Sequence, residues 1–457
     1  MQNVTPRPRK AHPVWAMARV IPALALLAVA LVASLVAPPL AMAAGEAPEP
    51  GDVAWILTST ALVLFMTLPG LAYFYGGLVR VKNVLSILMQ CFAITGIVTL
   101  LWLLVGYSLA FGDGGAINIV LGGLQNVLFA SIQEGTVSGG LPESLFALFQ
   151  MTFAIITPAL VVGAFAERMK FSSVLWFSAI WLMVVYVPVT HWVWGGGWLY
   201  EMGLLDFAGG VVVHITAGVA SLVAALVLGP RKGFPSTPML PHNMTMTVAG
   251  AGMLWVGWFG FNGGSALAAN GDAAMAMLAT HIAAAAGAVV WMFYEWIKFG
   301  KATALGTVTG MVAGLGTITP ASGFVGPGGA LVIGLLAGAV CFNAVIIVKR
   351  TWGVDDSLDV FPVHGVGGMM GTLLAGVFSS TSLGVFSGQG FAEGNATMGA
   401  QLGVQAIGVV SVAVYTAVAT FVILKLVGLL TAGLRVGDDE ETEGLDVTSH
   451  EERGYII

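Results

Sequence analysis

Charged side chains are scarce in this chain: 17 Lys and Arg plus 23 Asp and Glu make up only 9% of 457 residues. A water-soluble domain of this size does not persist on so little charge. Cysteine is scarcer still. Cys91 and Cys341 each sit inside an apolar run, far apart and without metal-ligand spacing, so they read as small buried hydrophobes rather than a disulfide or a metal site. Short alternating apolar–polar segments are missing, which excludes a transmembrane barrel. There is no G-x-S-x-G and no H-E-x-x-H, so an intramembrane hydrolase lacks its nucleophile or metal set. No enzyme activity, cofactor, metal or nucleic-acid partner is expected.

What is present is apolar. Hydrophobic residues reach 57% and the mean hydropathy is +0.91. Runs of roughly 20 apolar residues recur, long enough for helices across a bilayer core. The 62 glycines suit helices that pack closely in lipid. The expected fold is therefore an all-α membrane protein.

The first residues follow another logic. Arg7, Arg9, Lys10 and Arg19 flank the start of an apolar run, "VIPALALLAVALVASLVAPPLAMAA", that ends at Ala41-Met42-Ala43. This is the layout of a secretory signal peptide over residues 1–44, the alternative being an uncleaved extra helix. In either case the basic start stays cytoplasmic and Gly45 emerges outside.

Eleven spans are expected after it, near 54–78, 85–111, 143–165, 171–189, 207–229, 244–262, 275–297, 303–320, 325–348, 361–385 and 398–428. They form a membrane domain over 45–435, followed by a cytoplasmic tail over 436–457. Arg80 and Lys82, Arg168 and Lys170, Arg231 and Lys232, Lys298 and Lys301, and Lys349 and Arg350 fill alternate connections. Lys425, Arg435 and Arg453 close the C-terminal end, and the intervening loops, including 112–142, hold none. The positive-inside rule makes the basic side cytoplasmic, with the mature N-terminus outside. The acidic tail, "VGDDEETEGLDVTSHEERGYII", is either a solvated cytoplasmic tail or a docking or regulatory segment with Leu445, Val447 and Tyr455 as its anchors.

Of seven histidines, His12 lies in the leader, His242 in a basic loop and His450 in the tail, while His191 and His281 are expected near outer span ends. His214 and His364 fall within the fifth and tenth spans. Each follows an aspartate suited to cap its helix, Asp206 in "DFAGGVVVH" and Asp359 in "DVFPVH". Spans 1–5 and 6–10 thus resemble two inverted five-helix repeats plus a C-terminal helix, with the histidines meeting near the midplane. Gly210, Gly218, Gly367, Gly368 and Gly371 clear the faces between them. Neutral imidazoles in an apolar conduit suit a small cargo that crosses largely uncharged.

Several stretches carry a resemblance: "FYGGLVRVKNVLS", "GAFAERMKFSSVL", "HWVWGGGWL", "LDFAGGVVVHITAG", "GWFGFNGGSA" and "DVFPVHGVGGMMGTLLAG". From about Asp52 to the tail they are similar to the ammonium transporter family, Amt/Mep/Rh, on its bacterial Amt side. The resemblance implies a homotrimer in the bacterial inner membrane, working in nitrogen uptake, with one hydrophobic pore per subunit. It implies an outer vestibule of Phe149, Phe153, Trp194 and Ser265 that recruits ammonium, organised by Asp206. It implies a stacked gate of Phe153 and Phe261, then a pore lined by Trp258 and Val360 with a His214–His364 proton relay that passes ammonia. A PII-type nitrogen regulator is the cytoplasmic partner so implied, docking on "GPRKGFPSTPMLPHN" and the tail. The chain departs from the family pattern at Pro362 and in "SHEERGY". A passive ammonia or carbon dioxide channel and an ammonium sensor are the competing readings.

Overall fold

The computed structural model of the protein describes residues 47–455, so the leader expected over 1–44 lies outside the described residues. Among the described residues, ten helices are long and apolar enough to cross a membrane. They are α1 (Pro50–Leu78), α2 (Val81–Phe111), α3 (Glu143–Phe165), α4 (Phe171–Glu201), α5 (Gly210–Leu228), α6 (Met244–Gly263), α7 (Gly271–Phe299), α9 (Pro327–Thr351), α10 (Phe361–Phe378) and α11 (Met398–Leu430). The eighth expected span is α8 (Ala304–Ile318), apolar but only 15 residues long. Two short helices, α12 (Asp438–Glu443) and α13 (Leu445–His450), follow.

The boundaries follow local chemistry. Asn243, Asn270, Thr303 and Thr397 accept backbone N–H groups at the starts of α6, α7, α8 and α11. Pro69 interrupts α1, where Leu68 leaves helical geometry. The tenth span stops at Phe378 rather than 385, at the run Ser379-Ser380-Thr381-Ser382, where the Ser380 hydroxyl accepts the Ser382 N–H. The fourth runs on past 189 to Glu201, across the glycines 195–197.

Two helices form the centre. Every residue of α3 from Phe149 to Phe165 is buried, as is every residue from Gly310 of α8 to Pro320 just beyond it. Between them α5 and α10 pack against each other, α5 also on α3 and α10 on α8, while α1 packs against α6. Helices α7 and α9 cover α8, and α11 lies against α4, α5 and α10.

The basic connections converge at one end of the bundle. Glu167 takes Arg80 at 2.7 Å and Arg231 at 3.3 Å, and Asp355 takes Arg231 at 2.8 Å. The buried Arg168 donates to the Asp355 carbonyl and to Ser357. Burial alone would raise the Glu167 carboxyl, but Arg231 and Arg80 hold it below its usual value. Arg231 does the same for Asp355, again against burial. Glu167, Asp355 and Arg231 are therefore paired, which is what burying a charge requires, while Arg168 is held by a carbonyl and a hydroxyl.

The tail docks on this layer. Lys82 Nζ donates to the carbonyls of Glu441 and Thr442, and Glu441 takes Arg435 at 2.7 Å and the Lys232 N–H. Asp446 accepts the N–H groups of Leu85 and Ser86, Leu445 is buried, and Asn243 donates to the Tyr455 hydroxyl.

Candidate functional site

The histidine helices both begin with a π-type turn, Gly210–Ile215 in α5 and Phe361–Gly365 in α10, and each turn carries its histidine. Such wide turns recur at functional sites because they turn a side chain out of the regular ladder. The α5 start is capped in full by Asp206. Its Oδ1 accepts from Gly209 and Gly210 at 3.0 and 2.6 Å, and its Oδ2 from Val211 and Val212 at 2.8 and 3.1 Å. All four otherwise orphaned donors are met by one carboxylate.

The expected cap of α10 needs correction. Asp359 sits at φ 60° and pairs with Lys349 at 2.8 Å. The capping residue is Asp356, whose Oδ2 accepts the Phe361 N–H at 2.7 Å. Asp206 and Asp356 each stand eight residues before their histidine, so the same spacing occurs twice in the chain. That repeated offset was the signal in the sequence, and proximity to the helix start pointed to the wrong aspartate.

The glycines divide the work. A Cβ on Gly218 would collide with the backbone of Gly365, and one on Gly368 would lie 2.9 Å from the His214 Cβ. Gly218, Gly368 and the unanticipated Gly365 thus let α5 and α10 touch. Gly210 and Gly371 instead clear Pro320 and the Thr317 carbonyl, and Gly367 clears the Thr317 side chain at 2.8 Å.

The imidazoles meet as a result. Nδ1 of His364 lies 3.2 Å from Nδ1 of His214, with ring centroids 5.1 Å apart, and both rings are buried. When both rings are neutral, a hydrogen bond between two such nitrogens puts the proton on Nδ1 of one ring and on Nε2 of the other, and the two roles are interchangeable. Trp258 and Phe261 stack on His214 at 5.6 and 6.2 Å. The Trp258 indole N–H donates to Thr319 Oγ1 at 2.9 Å.

Aromatic rings continue above. Phe261 and Phe153 are 4.3 Å apart, Phe153 and Phe149 5.0 Å, and Phe153 meets Trp194 edge-on at 5.9 Å. The Trp194 N–H donates to the Asp206 carbonyl, and Ser265 Oγ donates to the Phe261 carbonyl. The structure therefore joins Phe149, Phe153, Trp194, Phe261, Trp258, His214 and His364 in one contiguous column, with Asp206 beside it and Ser265 one helical turn beyond Phe261.

Around the histidines the open space is about 10 Å³, walled by Ile156, Leu160, Val213, Leu254 and Val312 besides the rings. That is close to the least a single water needs. On the far side of His364 a chamber of about 340 Å³ opens, lined among others by Tyr75, Trp291, Glu295, Lys349, Asp359 and Val363. Val360 packs against Gly163 instead, and Leu358 and Val363 are its neighbours that line the chamber. The other histidines stand apart. His191 is buried with both ring nitrogens on the carbonyls of Ala110 and Asn118. His281 lies in the body of α7 rather than near its end, exposed beside Trp255.

The column can do one kind of chemistry. Ring faces draw a small cation, an apolar constriction admits a water-sized neutral molecule, and an imidazole pair offers it hydrogen bonds.

Comparison with known proteins bears on the same residues. Residues 54–455 match the family described as Ammonium Transporter Family. The ammonium transporter of Bacillus subtilis is 47% identical over 407 residues, which is 89% of this chain and 98% of that one. Ammonium transporter Amt1 of Archaeoglobus fulgidus is 45% identical over 89% of this chain and 99% of its own. Among solved structures, Saccharomyces cerevisiae Mep2 aligns with a TM-score of 0.78 at 36% identity, over 86% of this chain and 89% of that one. A protein described as a sensor Amt protein aligns with a TM-score of 0.81 at 30% identity, over 88% of this chain and 98% of that one.

Proposed function

We propose, from the premise that this chain belongs to the ammonium transporter family, how its aromatic and histidine column moves ammonium. The observation that carries the reading is the His214–His364 pair at 3.2 Å beside a space of about 10 Å³. A hydrated ion does not fit there, and stripping the charge's water in an apolar pore costs several kcal/mol with no compensating ligand.

In this reading Phe149, Phe153, Trp194 and Ser265 recruit ammonium at the outer mouth, through ring faces and the hydroxyl. Asp206 holds the start of α5 and orients Trp194 through its carbonyl. The cation loses its proton at the Phe153–Phe261 gate, and ammonia passes Trp258 and the two histidines into the inner chamber. The proton crosses through the imidazole pair, one ring accepting as the other donates. All eleven helices cross the membrane as two inverted five-helix repeats plus α11, with the N-terminus outside after loss of the leader. Three copies assemble in the inner membrane, and a PII-type regulator meets the face formed by the basic connections and the tail.

The test is ammonium-evoked current in proteoliposomes on a solid-supported membrane. The wild type gives current selective against potassium, and His214→Ala with His364→Ala loses it. Undiminished selective current in the double variant would sink the relay. Ammonia flux without current in the wild type would favour the passive channel instead.

A further inference from the structure

We propose that Thr319 positions Trp258 on His214 and thereby sets which amines the constriction admits, an inference that rests on the ammonium-transport reading. The Trp258 indole N–H donates to Thr319 Oγ1 at 2.9 Å, and both residues are buried. The same hydroxyl donates its own proton to the Leu315 carbonyl at 2.7 Å. With its hydrogen committed to the last turn of α8, the hydroxyl has a lone pair left for the indole and little freedom to turn away.

Trp258 is a wall of the constriction. Its ring lies 23° from the plane of His214, and it tilts against Phe261 at 5.5 Å. In an opening of about 10 Å³, a small swing of an indole changes whether one extra methyl group passes. The rings stacked on His214 supply no directional bond, so the hydrogen bond to Thr319 is what selects one tilt of the indole.

The position of Thr319 makes it a reference point for both sides of the constriction. Its neighbour Pro320 accepts the Phe207 N–H at 3.0 Å, and the Pro320 ring fills the space left by Gly210 at the start of α5. Thr317, two residues earlier, occupies the clearance of Gly367 and Gly371 on α10. One short segment at the end of α8 therefore abuts both histidine helices and tethers the tryptophan. Thr319 is a positioning residue; it touches the cargo through Trp258.

The experiment compares uptake of ammonium and methylammonium in proteoliposomes holding wild type, Thr319→Val, Thr319→Ala and Thr319→Ser. Removing the hydroxyl should raise the methylammonium-to-ammonium ratio by about tenfold, the scale at which a pocket senses one methyl-sized group. Thr319→Ser keeps the hydroxyl and should restore the wild-type ratio. Thr319→Ala adds no bulk and carries the same expectation if the valine variant does not fold. An unchanged ratio in the valine and alanine variants overturns the proposal, as does a serine variant that behaves like valine. If the wild type moves no ammonium, the transport reading fails and this proposal with it; if it does and only the ratios are flat, this proposal alone fails.

Discussion

Asp206 and Asp356 occupy equivalent places, eight residues ahead of the paired histidines, and they are not equally satisfied. Asp206 spends both oxygens on four backbone donors. Asp356 gives Oδ2 to Phe361 and keeps Oδ1 buried without a partner, next to the Asp359–Lys349 pair. The two helix starts differ in what holds them: α5 is pinned by one fully used carboxylate, α10 by a half-used one backed by an ionic layer. The start of α5 sits beside the aromatic vestibule, where Trp194 hangs from the Asp206 carbonyl. The start of α10 adjoins the wide inner chamber, where nothing as narrow has to be held.

The largest expected effect follows from removing each cap. Asp206→Ala leaves four buried N–H groups unmet at about 1–3 kcal/mol apiece, so the protein should be destabilised by at least about 4 kcal/mol. Transport should fall more than about a hundredfold, since a factor of ten needs only about 1.4 kcal/mol at the site. Asp356→Ala should cost about 1–3 kcal/mol, one donor's worth. Thermal unfolding in detergent and uptake in liposomes measure both. Equal losses in the two variants would erase the distinction between the helix starts.

The comparison also shows what a sequence exposes. The paired histidines, the glycine clearance and the one-sided basic connections follow from spacing and composition, because each is a local pattern in the chain. The cap of α10 does not, because two aspartates, 356 and 359, stand within reach of its start and only three-dimensional geometry separates them. Asp359 is drawn off by Lys349 on α9, a partner ten residues away in sequence and on another helix. Thr319 was illegible for a similar reason: a threonine after an apolar run signals nothing until Trp258, 61 residues earlier, is seen to need an acceptor. Val360 illustrates the reverse, since its neighbours Leu358 and Val363 reach the chamber and it turns to Gly163.

A second test sharpens the contact between the two helices rather than their caps. Gly218 faces the backbone of Gly365, whereas Gly210 faces the Pro320 ring. Backbone cannot yield as a side chain can, so Gly218→Ala must push α5 and α10 apart. Overpacking of this kind costs about 1–3 kcal/mol and lengthens the 3.2 Å imidazole contact. Ammonium current should drop about tenfold, equivalent to about 1.4 kcal/mol on the barrier. Full current in Gly218→Ala would mean that the histidines need not touch.

The smallest effect concerns the unpartnered oxygen of Asp356 and is read from pH. Burial, and then the charge of Asp359, push this carboxyl from 3.8 up to about 6, against the pull of the Phe361 N–H. A carboxyl raised in the folded state binds its proton more tightly there than in the unfolded chain. Stability contributed by this group is therefore greatest below about pH 4 and falls as pH rises through 6. Glu167 and Asp355 have the opposite sign: held below their usual values, they add stability above about pH 4 and lose it only in stronger acid. Between pH 5 and 7.5 Asp356 should thus cost the wild type about 1.4 kcal/mol, roughly the one pKa unit of its shift that lies above pH 5. Asp356→Asn keeps an oxygen for Phe361 but no charge, so its unfolding temperature should fall less than the wild type's across that window, with transport changed less than about threefold, under 1 kcal/mol. Parallel pH profiles for the two proteins would show that the second cap carries no buried charge, and that the helix starts differ only in how many donors they satisfy.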